Sequence, residues 1–447
     1  MVYVRRRYYF WLLKAYVKRW RKTILTSIVL GALAFFAIFL VLNYYVFSMF
    51  KSNVEKIGYS GSFTIATLPE EVLSYVSYGL TSVDKDGTIK SAASKKWEIG
   101  EEGKVFTFTL PDDLKFNNGR AFEAKDVPYS FKDVNKEVLS KNTIRFTLKT
   151  PYAPFLSAVD RPILLKNFGL GEYSISNREE NAGFLKSLTL SSKRTGKKKI
   201  ISFYPTQDAL KTAFLLGEVD TIKSVAPEIK PDTYFKGWNG VKVTRNVDYK
   251  TLVSLFFNTI DNQLANKKVR QALSYALPAS FFEGERSYSF LPPESIYYAR
   301  SPNEGLLDIE LSKQLLESAD VKKLDLTITT LDELLPVAEQ VAKSWKKIGI
   351  NTKIVTSGSI PPNYQVLLYP ITLPKDPDMY AIWHSNQADN ITHYSNVRID
   401  KLLEEGRQTM DTSERIQIYA DMQKYLLDDA PAAFLYFPYT YTVTRTN

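Results

Sequence analysis

Side chains suited to acid–base or metal chemistry are scarce in this chain. Its 447 residues include two histidines, His384 and His393, and no cysteine. Disulfides, thiolate nucleophiles and Cys-based zinc sites are therefore excluded, as is a lipid anchor carried on cysteine. The histidines are close in sequence but have no Ser or Cys nucleophile context beside them. Glu101-Glu102 and Asp428-Asp429 are adjacent pairs; neighbouring side chains diverge on a strand or helix, so solvated turn residues are the better reading. No G-x-S-x-G, H-E-x-x-H, Walker-type glycine loop or G-x-G-x-x-G occurs. No enzyme, cofactor or metal is expected. Aromatic residues make up 13% of the chain, 28 of them tyrosine. Tyrosine suits a binding surface because its ring supplies area while its hydroxyl stays wet, although most such residues build cores and strands.

The elements that must position these residues alternate between α and β. Gly61 to Thr67 alternates like a strand after a linker ending near Tyr59–Ser60. Trp97 to Leu110 reads as two strands turning at Glu102-Gly103, and Thr143 to Leu148 as another. Ile200 to Tyr204 is a strand followed by a helix over Gln207 to Leu216. Val253 to Asn258 is an apolar strand and Lys267 to Ala276 an amphipathic helix. Leu324 to Thr329, a helix over Leu334 to Lys347 stopped by Gly349, and Asn351 to Val355 continue the pattern. Lys193 to Lys199 reads as a solvated basic loop. The sum is a mixed α/β protein with more than one sheet.

The net charge of +10 invites a nucleic-acid reading until its position is checked. Arg5, Arg6, Arg7, Lys14, Lys18, Arg19, Arg21 and Lys22 precede any acid, the first being Glu55. Without these eight, 50 basic residues face 48 acidic ones, so the main body is nearly neutral and nucleic acid is not an expected partner. Ile24 to Phe47 carries no charge and is long enough to cross a hydrocarbon core of about 30 Å. Tyr44, Tyr45 and Phe47 fit an aromatic belt, and the basic flank predicts a cytoplasmic N-terminus. The run is longer than a signal-peptide core and lacks an A-x-A-like site, so an uncleaved anchor is expected, with the body outside. Tyr8 to Trp20 mixes aromatic and basic residues and suits either the inner leaflet surface or a plain topogenic flank.

Ordered motifs then carry a resemblance. Gly79-Leu80, Asp84-Lys-Asp-Gly87 and Ala92-Ala-Ser-Lys-Lys-Trp97 come first, followed by Phe106 to Leu110, Asn118-Gly119 and Ala124-Lys-Asp126-Val127. Gly217-Glu218-Val219-Asp220, Phe257-Asn258 with Lys268 to Ala276, Trp345 to Ile350, Asp376-Pro377-Asp378 and Leu427 to Pro431 continue it. Over roughly Gly61 to Tyr441 the chain resembles the family 5 extracellular solute-binding proteins that serve peptide and nickel ABC importers. The resemblance implies a periplasmic-binding-protein-like α/β fold of type II. Two hinged lobes would close on a ligand, with a small extra domain and one transmembrane helix in front. The implied division is a cytoplasmic tail (1–23), the span (24–47), a linker (48–60), lobe I (61–70, 161–246 and 431–447), a shortened small domain (71–160) and lobe II (247–430).

The same resemblance implies a site. Thr67 and Leu68 on the first strand, and Tyr369, Pro370 and Ile371, would bond a ligand backbone. Tyr369, Tyr380 and Trp383 would wall side-chain pockets, with Asn258 nearby. The position where peptide-binding members carry an amine-pairing acid is Leu373 here, leaving Asp376 or Asp378 as possible substitutes. Lys132 to Asn142 replaces a longer helical insertion, and Leu277-Pro278-Ala279 departs from the family pattern. Implied partners are a peptide or similar solute, an ABC permease and ATPase, and the bilayer through Ile24–Phe47. A ligand sensor or scaffold that feeds no transporter is the alternative.

Overall fold

The computed structural model describes residues 2–49, 53–227, 235, 238–300, 307–321 and 323–446, and the side chains of 7–40 within its N-terminal helices. Two compact units result, Met1–Glu55 and Lys56–Asn447. The first consists of helices Val2–Arg19 and Arg21–Met49. Among the described residues, Arg21–Leu40 is the one stretch of helix long and apolar enough to cross a membrane, and it buries none of its surface in protein. Tyr44, Tyr45 and Phe47, the expected belt, have side chains outside the described residues.

The second unit opens earlier than expected. Strand β1 is Val54–Ser60, within the stretch read as linker, and its Ile57, Gly58 and Tyr59 pair with a later strand. Gly61 to Thr67, read as the strand, instead turns. Gly61 has φ +123°, and Ile65–Thr67 forms a 3-10 turn in which the Thr64 N–H donates to Thr67 Oγ1 at 2.8 Å. Local hydroxyl bonding here competes successfully with a sheet ladder. Burial also favours Ile57 and Tyr59, which enter a core, while Thr67 stays exposed.

A hairpin of β2 (Thr81–Val83) and β3 (Ile89–Ser91) leads into a four-stranded antiparallel sheet. Its strands are β4 (Lys96–Gly100), β5 (Val105–Thr109), β6 (Val134–Ser140) and β7 (Thr143–Leu148), in the order β4-β5-β7-β6. The short Lys132 to Asn142 segment is thus mostly strand, and Phe106, Phe108, Phe146 and Phe155 fill the core of this sheet.

Everything else joins one twelve-stranded sheet. β8 (Ser174–Asn181), β9 (Phe184–Ser191), β10 (Lys198–Tyr204), β11 (Thr221–Val225) and β12 (Val241–Val247) come first. They precede β13 (Thr251–Phe257), β14 (Gly284–Arg286), β15 (Asp325–Thr330), β16 (Asn351–Thr356), β17 (Val366–Thr372) and β18 (Ala432–Arg445). The path runs β16-β15-β17-β13-β18-β11-β1-β10-β9-β8, with β12 and β14 also on β18. β18 is the spine. Its first half pairs with β13 and its second with β11 and β12. Two of the cores follow from this division. One is built on β13, β15 and β17 with helices Lys267–Tyr275 and Leu335–Lys346, which bury Leu273 and Trp345. The other is built on β1, β8, β9 and β10. The expected helices appear within a residue or two, Gln207–Leu216 closing on Gly217 at φ +78°.

Candidate functional site

The local chemistry begins with β17. Its register against β13 is unbroken from Thr251↔Thr372 to Phe257↔Val366. The Asn258 N–H donates to the Gln365 carbonyl at 2.9 Å, and the Leu373 N–H to the Lys250 carbonyl at 2.7 Å. Antiparallel hydrogen bonding alternates along a strand. Tyr369 and Ile371, in phase with 365 and 373, therefore spend their backbone groups on β13. Pro370 and Thr372 point their backbone groups the other way. There β15 covers β17 only as far as Leu368. Beyond it, among the described residues, the Pro370 carbonyl and both backbone groups of Thr372 form an uncovered strand edge, and Thr372 is exposed. Sheet edges of this kind accept an added extended strand. Of the three positions expected to serve a ligand, Pro370 faces this edge, while Tyr369 and Ile371 face β13.

The side chains of Tyr369, Ile371 and Leu373 share one face and meet Met379, Tyr380 and Trp383 in a common core. Trp383 is 0% exposed, packing near Phe256 and edge-on to Phe434, so it is a core residue and walls no open pocket. Tyr380 lies half-buried, with its ring 4.2 Å from His384 and the Arg407 guanidinium 3.7 Å over its face.

Both turn acids already hold arginines. Asp376 is buried and bound by Arg415 in a fork, Nη2 to Oδ1 at 2.7 Å and Nη1 to Oδ2 at 3.1 Å. Arg415, thus neutralised, also donates to Tyr297 and to the Gly406 carbonyl. Asp378 accepts from Arg407 Nε at 2.9 and 3.0 Å and from the Tyr152 hydroxyl at 3.5 Å. Burial and the neighbouring Asp378 push Tyr152 up to about 12. Neither carboxylate stands free to replace the missing acid at Leu373, whose own side chain is core. Asn258 lies at the opposite end of β13, roughly 26 Å along the strand from Lys250. There its side chain bonds the Tyr364 carbonyl at 2.8 Å and shapes a turn.

A charged seam links these elements to the start of the main body. Helix Glu70–Val76 follows Thr67 and Leu68, the latter buried in the β1 core. Glu70 pairs with Lys250 and with Lys375, and Lys375 also reaches Asp160 at 2.5 Å. Burial raises the Glu70 carboxyl, but the bonds from Lys250 and Lys375 outweigh it and hold the group below its ordinary range. Burial likewise opposes the charge on Lys375, and Asp160 and Glu70 more than restore it. The Ala153 N–H donates to the Arg407 carbonyl at 2.7 Å, binding the four-stranded-sheet region to the same seam. Of the expected residues, Leu68 and its neighbours thus approach the end of β17 through Glu70, while Asn258 does not. Glu70, Asp160, Lys250, Lys375 and Arg407 gave no signal in sequence, because their partners lie far along the chain. No group of three or more His, Asp or Glu placed to hold a metal occurs among the described residues.

A two-lobed α/β molecule, its lobes sharing one spine strand and facing each other across a seam with an open strand edge, has the form of a solute-binding protein. The sequence model of the bacterial extracellular solute-binding proteins, family 5, matches residues 88–168 and 191–394. The chain belongs to that family. The nickel-binding periplasmic protein of Escherichia coli K12 is 24% identical over 456 aligned residues, spanning 82% of this chain and 84% of the relative. The dipeptide-binding protein of the same organism is 23% identical over 431, spanning 76% and 79%. Among solved structures, the oligopeptide-binding protein AppA of Bacillus subtilis, in complex with a nonapeptide, superposes with a TM-score of 0.67 at 20% identity, covering 89% of this chain and 95% of its own.

Proposed function

We propose that this protein is a membrane-tethered receptor of an ABC importer, which captures peptides between two closing lobes and presents them to a permease and its ATPase. The reading takes lobe I as 61–70, 161–246 and 431–447, the small domain as 71–160 and lobe II as 247–430. The observation that carries it is the open edge of β17 at Pro370 and Thr372. A peptide lying there satisfies its backbone without a side-chain code, as an importer of mixed peptides requires. The dipeptide- and nonapeptide-binding relatives support that choice of solute. The helix over Ile24–Phe47 would hold the receptor beside its permease at high effective concentration.

Thr372→Pro tests the edge, because it deletes the one outward N–H while leaving the bonds to β13 intact. Calorimetric titration of the full chain in nanodiscs with a mixed tri- to pentapeptide pool should show affinity falling about tenfold, the scale of one backbone bond left unmade. Unchanged affinity would remove the edge from the site. A receptor or scaffold that feeds no transporter is a second reading, favoured by the ion pairs with which Glu70, Lys250, Lys375 and Asp160 themselves bridge the seam. Co-purification of a permease and ATPase with the full chain separates the two.

A further inference from the structure

A cavity of about 640 Å³ lies away from the seam, walled by helices Lys267–Tyr275 and Thr412–Asp429 and by β14 and β18. None of the residues discussed above as ligand-binding lines it. Its walls are largely apolar, with Leu277, Pro278, Tyr288, Leu307, Leu427 and Phe434 among them. This size and lining are those of a small-molecule pocket.

One polar group in the wall is unusual. Arg286, from β14, carries a guanidinium that burial depresses to about 10, and no carboxylate among the described residues pairs with it. Its Nη1 donates to the carbonyls of Ser287, Phe434 and Leu435. Its Nε is buried with no partner. No hydrogen bond to Nη2 occurs among the described residues, and Arg286 is one of the residues that line the cavity. The Tyr288 ring lies 4.2 Å from the guanidinium carbon and fixes the plane of the group. A cation held out of water without an anion is costly, and a buried polar group without a partner calls for a reason. Of the acids in the wall, Asp428 is engaged by Lys267 and Gln271, and Asp421 is exposed on its helix.

We propose that this cavity is a second binding site, for a small monocarboxylate with an apolar body, whose carboxylate pairs with Arg286 while the body fills the space between the two helices. The carboxylate supplies the missing anion and the apolar walls supply burial. The site is independent of peptide capture, since the seam and the edge of β17 contribute nothing to it.

The probe is 3-phenylpropionate, titrated calorimetrically into the full chain in nanodiscs with empty nanodiscs as the blank. A saturable heat with one site per chain is expected, at least tenfold weaker for 3-phenylpropanol, which keeps the body and loses the charge. Ala420→Phe projects a ring into the cavity from the Thr412–Asp429 helix and removes no side-chain hydrogen bond; it should weaken binding at least tenfold. Arg286→Gln should weaken binding at least tenfold. Because Arg286 also ties three carbonyls, its loss could unfold the lobe, and Ala420→Phe then decides alone. No saturable heat with the wild type, equal affinity for acid and alcohol, or undiminished binding by Ala420→Phe would each overturn the site.

Discussion

At the scale of single residues, the acids in the Asp376-Pro377-Asp378 turn show how a binding motif and a folding motif share one spelling. Read in sequence, either carboxylate could receive a ligand's amine. In the fold each is claimed by an arginine, Arg415 at a separation of 39 residues and Arg407 at 29. Such partners are invisible until the helices carrying them are docked. The Asp376–Arg415 pair is buried on both sides, and removing one member of such a pair strands the other charge. Asp376→Asn should therefore lower stability by about 3–5 kcal/mol in denaturant melts, with peptide affinity of the folded fraction unchanged. A full loss of affinity with unaltered stability would return Asp376 to the ligand. Leu373, by contrast, carries no charge, and its side chain is buried in the core.

At the scale of elements, periodicity was informative wherever burial dictated it. The helix over Leu335–Lys346 with its stop at Gly349, and the strands at Val105–Thr109 and Thr143–Leu148, follow from alternation and spacing alone. Gly61 to Thr67 imitates a strand in sequence because its threonine hydroxyls keep the alternation while bonding locally, and Val54–Ser60 shows a weak strand pattern because charged Glu55 and Lys56 interrupt it. Which edge of β17 is open could not be read from sequence at all, since it depends on the register against β13 and on where β15 ends. That register separates two prolines by consequence. Ile371→Pro deletes an N–H directed at β13 and should destabilise the sheet by about 3 kcal/mol, seen as a lower thermal midpoint. Thr372→Pro should leave stability within about 0.5 kcal/mol of wild type. Equal destabilisation by both would mean the phase of the ladder is wrong.

At the scale of the whole molecule, two properties frame the receptor. The first is the charged seam. Glu70 is buried in part, which raises it, yet Lys250 and Lys375 hold it below its ordinary value of 4.5, so its contribution is present above that pH and lost as pH falls through the lowered value. Lys375 is raised above 10.5 and contributes up to that pH. The loss in thermal midpoint caused by Lys375→Met should accordingly be constant between about pH 4.5 and 10.5 and shrink outside that window; a pH-independent difference would dissolve the seam. The second is topology. The absence of cysteine makes labelling clean: in intact cells an impermeant maleimide should modify Lys85→Cys and spare Lys14→Cys, and the reverse pattern would place the body inside. Both properties serve the central claim, that the lobes close on a peptide. Native mass spectrometry of the full chain, released from detergent after exposure to a random peptide pool, tests it most directly. Retained peptides in one-to-one stoichiometry, displaced by the Thr372→Pro change, are the predicted result. A chain that emerges empty from every pool would contradict the account and leave a receptor fold whose seam is closed by its own charges.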